Sequence, residues 1–204
     1  MANITNVDYE AIPYQAQQMR NLGQALNKEI LTAYQSVANM HKSWYGKRYN
    51  ELVKSFNEMI PKINPLLELV VGDIPFALET IANNYSQADQ GRNVVAAAKT
   101  APNKIPELTI STDIGMKFVT SEVENTRTSV STNFKNSESK MNDIATEYKK
   151  IQWKSEAADA FLSKFSKLQA DIVAAFQNID TQFTSLMSHT LNDIQSTENA
   201  NTVQ

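Results

Sequence analysis

Several residue types are absent or scarce in this chain of 204 residues, and each absence excludes a class of protein. There is no cysteine, which excludes disulfide bonds and suits either a cytosolic protein or one exported without oxidative folding. The five glycines are too few for a loop-rich or β-rich fold, so we expect an all-α protein. The only histidines, His41 and His189, have no metal-binding partner at the usual spacing, so no metal site is expected.

The charge and hydropathy patterns exclude further classes. A formal net charge of −3 gives no reason to expect nucleic acid or an anionic membrane as a partner. Residues 1–6 contain no basic or long apolar stretch, so no Sec-type signal peptide is expected. The most apolar run, 63–82, contains Glu68, Asp73 and Glu79. We therefore interpret it as a buried helix face rather than a membrane-inserted segment.

Apolar residues recur at helical spacing in four stretches, and a hydrophobic content of 42% is enough to form a core. The pattern predicts four long helices whose other faces are solvated. The third helix is rich in β-branched residues and serine, so its stability must depend on packing. The predicted buried faces run from Met19 to Trp44, from Tyr49 to Tyr85, from Met116 to Ile151 and from Ala158 to Leu186.

Prolines 61, 65 and 75 lie inside the second helical stretch. Each interior proline removes a backbone donor and clashes with the preceding turn of a helix. We therefore expect a bend, most simply with one helix ending at Gly72 and the next capped by Asp73. The apolar positions keep their phase across this region, which predicts that both pieces face the same core.

The two tryptophans mark an internal duplication. Trp153 stands between two helical stretches in the second half, as Trp44 does in the first. Each half is thus predicted to be a helix–turn–helix hairpin that cannot bury its apolar faces alone. The apolar positions that match behind the two tryptophans are Leu52 and Phe161, Phe56 and Phe165, Ile63 and Ile172, Val70 and Ile179, and Ile74 and Phe183.

The segment between the halves has no helical periodicity and contains prolines. It predicts a linker at 91–112, with Val94–Lys99 as a possible extension of the preceding helix left open. The first hairpin then occupies 1–90 and the second 113–204. Packed together, two tandem hairpins form an elongated four-helix bundle, a pseudo-dimer within one chain.

Two short motifs are candidate recognition sites. At the tip Trp44-Tyr45-Gly46, either the indole fills the end of the core while Gly46 permits the turn, or the tip itself is recognised. Tyr85 and Asp89 end the second helix, and their i, i+4 spacing places the ring and the carboxylate on one face. No catalytic triad, phosphate-binding loop or paired-carboxylate pocket is found, so we expect no enzyme activity and no cofactor.

These motifs resemble those of the WXG family, the early-secreted-antigen-like helical hairpins of type VII secretion. The matching residues are Trp44-Tyr45-Gly46, the apolar spacing behind that tip, and Tyr85-x-x-x-Asp89 after the second helix. In the second half, Trp153-Lys154-Ser155 is similar to the family's tip, with Ser155 where glycine is expected. The resemblance covers most of the chain outside the linker and the tails.

The resemblance implies a non-enzymatic type VII secretion substrate or substrate-targeting partner, secreted as a folded bundle after synthesis in the cytoplasm. Its implied partners are the membrane-bound secretion ATPase and a co-secreted toxin or helical protein, and the chain would be a monomeric pseudo-dimer or a homodimer. Paired members of the family lie antiparallel. That arrangement would place Trp153 and Ser155 near Tyr85 and Asp89 as a composite export signal. A helical adaptor that is not secreted is the alternative.

An antiparallel arrangement within one chain requires the linker to span a whole helical arm. An arm of about 35–40 residues is about 55–60 Å long. A linker of about 22 extended residues reaches about 73–79 Å. We therefore favour pairing within one chain, provided that the linker is nearly extended. A helix over 92–99 would instead favour parallel hairpins or pairing between two chains.

Overall fold

The structure is a computed structural model that describes residues 7–151 and 156–201, without the side chains of residues 156 and 157. Its elements, in chain order, are α1 (Ile12–Met40), β1 (Trp44–Tyr45), α2 (Lys47–Leu67), a π-helical segment (Glu68–Asp73), α3 (Ile74–Gln90), β2 (Lys117–Phe118), α4 (Thr120–Lys149) and α5 (Glu156–Ala200). Apart from the two-residue strands, which pair antiparallel, the ordered elements of the described chain are helices. The prediction of an all-α fold is confirmed.

Helix α1 packs along α4 in the antiparallel direction, and this is the most extensive helix–helix contact in the described residues. Near one end, Nε2 of Gln15 donates a hydrogen bond to the carbonyl of Lys150 at 3.4 Å. At the other end, the backbone N–H of Val119 donates to the carbonyl of Ser43 at 2.9 Å. The start of α1 therefore lies beside the end of α4, and the end of α1 beside the start of α4.

Helices α2 and α5 form a second antiparallel contact. Arg48, in the first turn of α2, pairs with Asp193, near the end of α5, at 2.5 Å between Nη2 and Oδ2. Further along, Met59 of α2 and Ile179 of α5 line the same surface groove. Because α1 also packs against α3 and the π-helical segment, the helices form a bundle around one core.

Four aromatic rings, one from each long helical arm, meet at the centre of this core. Tyr34 of α1 contacts Phe56 of α2 edge-on at 5.1 Å between ring centroids, and its hydroxyl donates to the Phe56 carbonyl at 2.6 Å. Phe56 stacks on Phe134 of α4 at 5.9 Å. Phe134 stacks on Phe176 of α5 at 4.0 Å, with only 6° between the ring planes. These ring contacts connect all four helical arms within the core.

Helix α4 contains polar side chains that form their hydrogen bonds with the backbone of the same helix. Ser137 is fully buried, and its hydroxyl donates to the carbonyl of Asn133, one turn back, at 2.8 Å. Such bonds remove the penalty of burying a hydroxyl but add little helix stability. The apolar face packed into the bundle consists of Val123, Val130, Phe134, Met141, Ile144 and Tyr148.

The predicted interruption at Gly72 and Asp73 is wrong, because the helical arm continues from Lys47 to Gln90. Asp73 has helical backbone angles and makes no side-chain cap. The arm widens instead into the π-helical segment just before Pro75. A π turn shifts the hydrogen bonds by one residue, which accommodates a proline that has no N–H and would crowd the preceding turn.

The predicted ends of two helical stretches are also wrong. Helix α1 stops at Met40, so Trp44 belongs to β1 and not to the first helix. Met116 precedes α4 and is 52% exposed, so it is not part of the buried face of the third helix. The reason is the pairing of Trp44 with Phe118 and of Tyr45 with Lys117, a contact between distant parts of the chain that local periodicity does not encode.

We expect the free energy of unfolding to fall steeply with pH above about 10, because buried tyrosines ionise when the chain unfolds. Burial raises the pKa of Tyr49 to about 12, raises that of Tyr148 to about 12, and raises the pKa of Tyr34 as well. A raised pKa favours the neutral phenol in the folded state, so the stabilisation is complete below pH 10 and is lost as pH rises through 12. Each pH unit in that window removes about 1.4 kcal/mol per tyrosine.

The slope of unfolding free energy against pH, measured by urea titration at several pH values, tests this expectation. Tyr34→Phe should reduce the slope of the unfolding free energy between pH 10 and 12 by about 1.4 kcal/mol per pH unit, the contribution of one tyrosine. Tyr14→Phe is the control, since the side chain of Tyr14 is 69% exposed. Helical signal that persists while every tyrosine ionises near pH 10 would contradict the assignment.

Candidate functional site

The first predicted tip lies at one end of the bundle, where Trp44 is almost completely buried. Its indole packs edge-on against Phe118 at 5.4 Å and stacks on Phe183 of α5 at 5.9 Å. Tyr49, in the first turns of α2, contacts it from the third side at 6.2 Å. The indole therefore fills the end of the core between α2, β2 and α5, and its ring is not available at the surface.

Gly46 makes the turn from β1 into α2, and two features require glycine there. Its backbone has φ 119° and ψ −172°, a conformation that other residues rarely adopt. A Cβ at this position would also lie 3.3 Å from the carbonyl oxygen of Gly115, the residue two positions before β2. The glycine of the tip is thus explained by backbone geometry and by the close approach of a neighbouring segment.

The predicted Tyr85–Asp89 motif lies at the other end of the bundle, in the last turns of α3. Tyr85 is half-buried and Asp89 is exposed. The hydroxyl of Tyr9 donates to Oδ2 of Asp89 at 2.5 Å, and Nε2 of Gln90 donates to that same hydroxyl at 2.8 Å. The hydrogen bond to Asp89 raises the pKa of Tyr9. The segment before α1 therefore holds the carboxylate of the motif.

Sequence reasoning missed Tyr9, although a local signal stands beside it. The carboxylate of Asp8 accepts hydrogen bonds from the backbone N–H groups of Glu10 and Ala11 at 3.2 and 3.0 Å. An aspartate that accepts bonds from the next two or three N–H groups fixes the chain in a turn just before a helix. This turn positions Tyr9 for its contact with Asp89.

Trp153 and Ser155, the predicted second tip, lie outside the described residues. Their nearness to Tyr85 and Asp89 stays a prediction. On the described side of the tip, the carbonyl of Lys150 accepts the hydrogen bond from Gln15.

Residues on both sides of the second tip also border a small apolar cavity. Tyr148 and Phe161 pack together at 4.5 Å between ring centroids. With Leu69 and Ile74 they line a cavity of about 190 Å³. The described flanks of the tip therefore lie against the π-helical segment and the start of α3.

The chain between α3 and β2 forms an extended strap, residues 94–111, that contacts α1 as well as α2 and α3. Residues 92–99 are not helical, as pairing of the two hairpins within one chain requires. Three asparagines of α2, at positions 50, 57 and 64, bind the backbone of Ser111, Leu108 and Ile105 respectively. Each amide both donates to the carbonyl and accepts from the N–H of the same strap residue, at distances between 2.8 and 3.3 Å.

Two further asparagines continue this set of contacts along the bundle. Asn27 of α1 makes the same pair of bonds with the backbone of Asn103, both at 2.8 Å. The side chain of Asn83 accepts from the N–H groups of Val94 and Val95 and donates to the carbonyl of Val95. The signal in the sequence is the seven-residue spacing of the asparagines at positions 50, 57 and 64 of α2.

A buried ion pair holds the strap near its start. Nη2 of Arg20 lies 2.7 Å from Oε1 of Glu79, with both side chains largely excluded from solvent. The same Nη2 donates to the carbonyl of Ala98, and the N–H of Ala98 donates to the other carboxylate oxygen of Glu79. Ala98 of the strap therefore forms hydrogen bonds with both members of the ion pair. Two residues further along the strap, the carbonyl oxygen of Thr100 approaches Gly72 closely. A Cβ on Gly72 would lie only 2.7 Å from that oxygen.

The two histidines, which are the other candidate groups, lie at the surface of the bundle. His41 pairs with Asp113 at 3.0 Å on the surface, and His189 is exposed. Across the described ranges, no cluster of three histidine, aspartate or glutamate side chains is placed to hold a metal. Among the described helices, none combines the length and the apolar character that crossing a bilayer requires.

The described geometry thus presents two candidate sites: the end of α3 with its bound Tyr9, and the groove occupied by the strap. Both are defined by this chain's own contacts. When the chain is compared with protein-family models, with curated proteins and with solved structures, nothing matches.

Proposed function

We propose that this protein is a non-enzymatic substrate or substrate-targeting partner of type VII secretion. In this proposal it consists of two WXG-like hairpins in tandem and leaves the cell as a folded bundle. The membrane ATPase of the secretion system recognises a composite surface, formed by the second tip at Trp153 and by Tyr85 with Asp89.

One observation carries the proposal. The end of α4 at Lys150, just before the second tip, lies at the same end of the bundle as the Tyr85–Asp89 motif. The segment before and within the first turn of α1 contacts both. Tyr9 binds Asp89, and Gln15 binds the carbonyl of Lys150, three residues before Trp153. The antiparallel contact of α1 with α4 supports the expectation that a single protein surface presents the two parts together.

The exposure of the motif also supports recognition by a partner. Asp89 is on the surface and Tyr85 is half-buried, so part of the i, i+4 face is exposed to solvent even though Oδ2 of Asp89 accepts the hydrogen bond from Tyr9. A tyrosine and a carboxylate on one helix face can supply an aromatic contact and a charged acceptor to a binding partner.

The proposal predicts that Tyr85→Ala and Asp89→Ala lower export by about tenfold or more in a host with a type VII system, because a lost recognition contact of about 1.4 kcal/mol changes binding tenfold. The measurement is the fraction of the protein in the culture supernatant relative to the cell pellet. Lys54→Ala is the control, because Lys54 is an exposed residue of α2 towards the opposite end of the bundle. Undiminished export of a folded Tyr85→Ala variant would refute the role of the motif.

A second candidate function is a helical adaptor that stays in the cell and binds a partner protein. The observation that favours it is a pair of exposed apolar side chains beside the first tip. Ile114 is 99% exposed and Met116 is 52% exposed, in the segment that ends at β2. Retention of the unaltered chain in the cell, in a host that exports other type VII substrates, would favour the adaptor.

A further inference from the structure

We propose that Tyr9 is a positioning residue of the export surface: it holds the carboxylate of Asp89 so that the other oxygen of that carboxylate binds a cationic side chain of the secretion ATPase. The proposal rests on the proposed function, since it adds a residue to that recognition surface and names the chemical group of the partner that fits it. A hydrogen-bond network at the end of α3, which the sequence motif does not contain, carries it.

The carboxylate of Asp89 is the last acceptor in a directed series of hydrogen bonds. Nε of Arg92 donates to Oε1 of Gln90 at 2.9 Å, and Nε2 of that amide donates to the hydroxyl of Tyr9 at 2.8 Å. The hydroxyl accepts in this bond, so its own proton is left for Oδ2 of Asp89, at 2.5 Å. The last bond is the shortest of the three, as expected for a hydroxyl that donates to a charged oxygen.

Tyr9 is held in place by contacts that do not involve Asp89. The carbonyl of Asp8 accepts a hydrogen bond from the N–H of Ile12 at 3.2 Å, which joins the turn at Asp8 to the first turn of α1. The ring of Tyr9 is half-buried and packs against the core, as does Val7. Asp89, in contrast, is exposed. The supported side chain therefore orients the exposed one.

Asp89 keeps one oxygen and its charge available to a partner. Among residues 7–151 and 156–201, Oδ1 of Asp89 accepts no hydrogen bond and neither of its oxygens forms an ion pair. The hydroxyl of Tyr9 is neutral, so its bond leaves the negative charge in place. A guanidinium or an ammonium group supplies both a donor for Oδ1 and the opposite charge.

The position of Asp89 in its helix argues against a purely structural role. The residue lies in the last turn of α3, where unsatisfied carbonyls make the negative end of the helix dipole. A carboxylate there destabilises the helix, whereas asparagine would accept the same bond from Tyr9 without adding a charge. Holding the start of the chain thus explains the hydrogen bond but not the charge.

Two conservative substitutions in the full chain separate the charge from the positioning. Asp89→Asn keeps an acceptor for Tyr9 and removes the charge, and Tyr9→Phe keeps the ring and the charge but removes the donor. We expect export, measured as the fraction in the culture supernatant of a host with a type VII system, to fall about tenfold for Asp89→Asn and about threefold to tenfold for Tyr9→Phe. Ser36→Ala is the matched control, because it removes a surface hydroxyl and its hydrogen bond near the other end of α1.

Measurements on the purified protein show whether the contact and the fold are as described. The hydrogen bond to Asp89 raises the pKa of Tyr9, so Asp89→Ala should lower that pKa towards about 10 in a titration followed by NMR. The urea midpoint of Asp89→Asn should be unchanged or higher, because the charge at the end of α3 is lost. A merely structural role for Asp89 predicts that Asp89→Asn is exported like the unaltered chain.

Three results would overturn the proposal. Undiminished export of Asp89→Asn would exclude a cationic partner group, and undiminished export of folded Tyr9→Phe would exclude the positioning role. A pKa of Tyr9 that is the same with and without Asp89 would remove the contact itself. Tyr85→Ala tests the proposed function separately. If Tyr85→Ala lowers export and Tyr9→Phe does not, only the role of Tyr9 is lost.

Discussion

Replacing Phe134 by alanine is expected to lower the free energy of unfolding by about 3–5 kcal/mol. Phe134 is buried between Phe56 and Phe176 and stacks on the latter at 4.0 Å. Its removal deletes a large apolar side chain and leaves a cavity where three helical arms meet. Rings on both sides are held in their own helices, so the cavity closes only in part.

Urea denaturation followed by circular dichroism measures this loss, with the slope on urea concentration checked for two-state unfolding. Lys135→Ala is the matched control, because Lys135 is the neighbouring residue on the exposed side of α4. It should change the free energy of unfolding by no more than about 0.5 kcal/mol. A loss below about 1 kcal/mol for Phe134→Ala would contradict the central position of the ring.

Replacing Glu79 by leucine is expected to destabilise the fold by about 3–5 kcal/mol, because it leaves the guanidinium of Arg20 buried without its partner. The ion pair measures 2.7 Å, and Nε of Arg20 has no hydrogen-bond partner of its own. The N–H of Ala98 would lose its acceptor as well. The loss should thus exceed that of an ordinary hydrogen bond.

A double replacement separates the charge from the packing. Arg20→Met with Glu79→Leu fills a similar volume without burying any charge, and should recover most of the stability lost by Glu79→Leu alone. Asp73→Ala is the control at the surface, since it removes an exposed ion pair with Lys99 and should cost about 1 kcal/mol or less. If the double variant is no more stable than Glu79→Leu, the buried charge is not the cause.

Much of the helical architecture could be predicted from the sequence, since apolar spacing reports which side of a helix is buried. Leu52, Phe56 and Ile63 were expected on one face, and all three are buried. Tertiary contacts between distant segments explain the errors. Trp44 fits the spacing of α1, yet its pairing with Phe118 takes it out of the helix.

The candidate sites were harder to predict because their residues are polar and look like an ordinary solvated face. Asn57 and Asn64 could be assigned a partner only when the path of the strap was known. Tyr9 lies 80 positions from Asp89 in the chain and has no periodic signal. Gly72 has the pattern of a helix end, whereas in the structure its missing side chain leaves room for the carbonyl of Thr100.

The antiparallel packing of α1 with α4 has a consequence for the order in which the protein can fold during its synthesis. The helix that α1 contacts most is complete only when Lys149 has been added. At about 5–20 residues per second, the ribosome needs about 5–20 s to go from the end of α1 to that point. For this interval the face of α1 that will meet α4 is without its partner. The protein therefore reaches its closed core late in translation, and a chaperone that shields apolar helices has its main opportunity before α4 emerges.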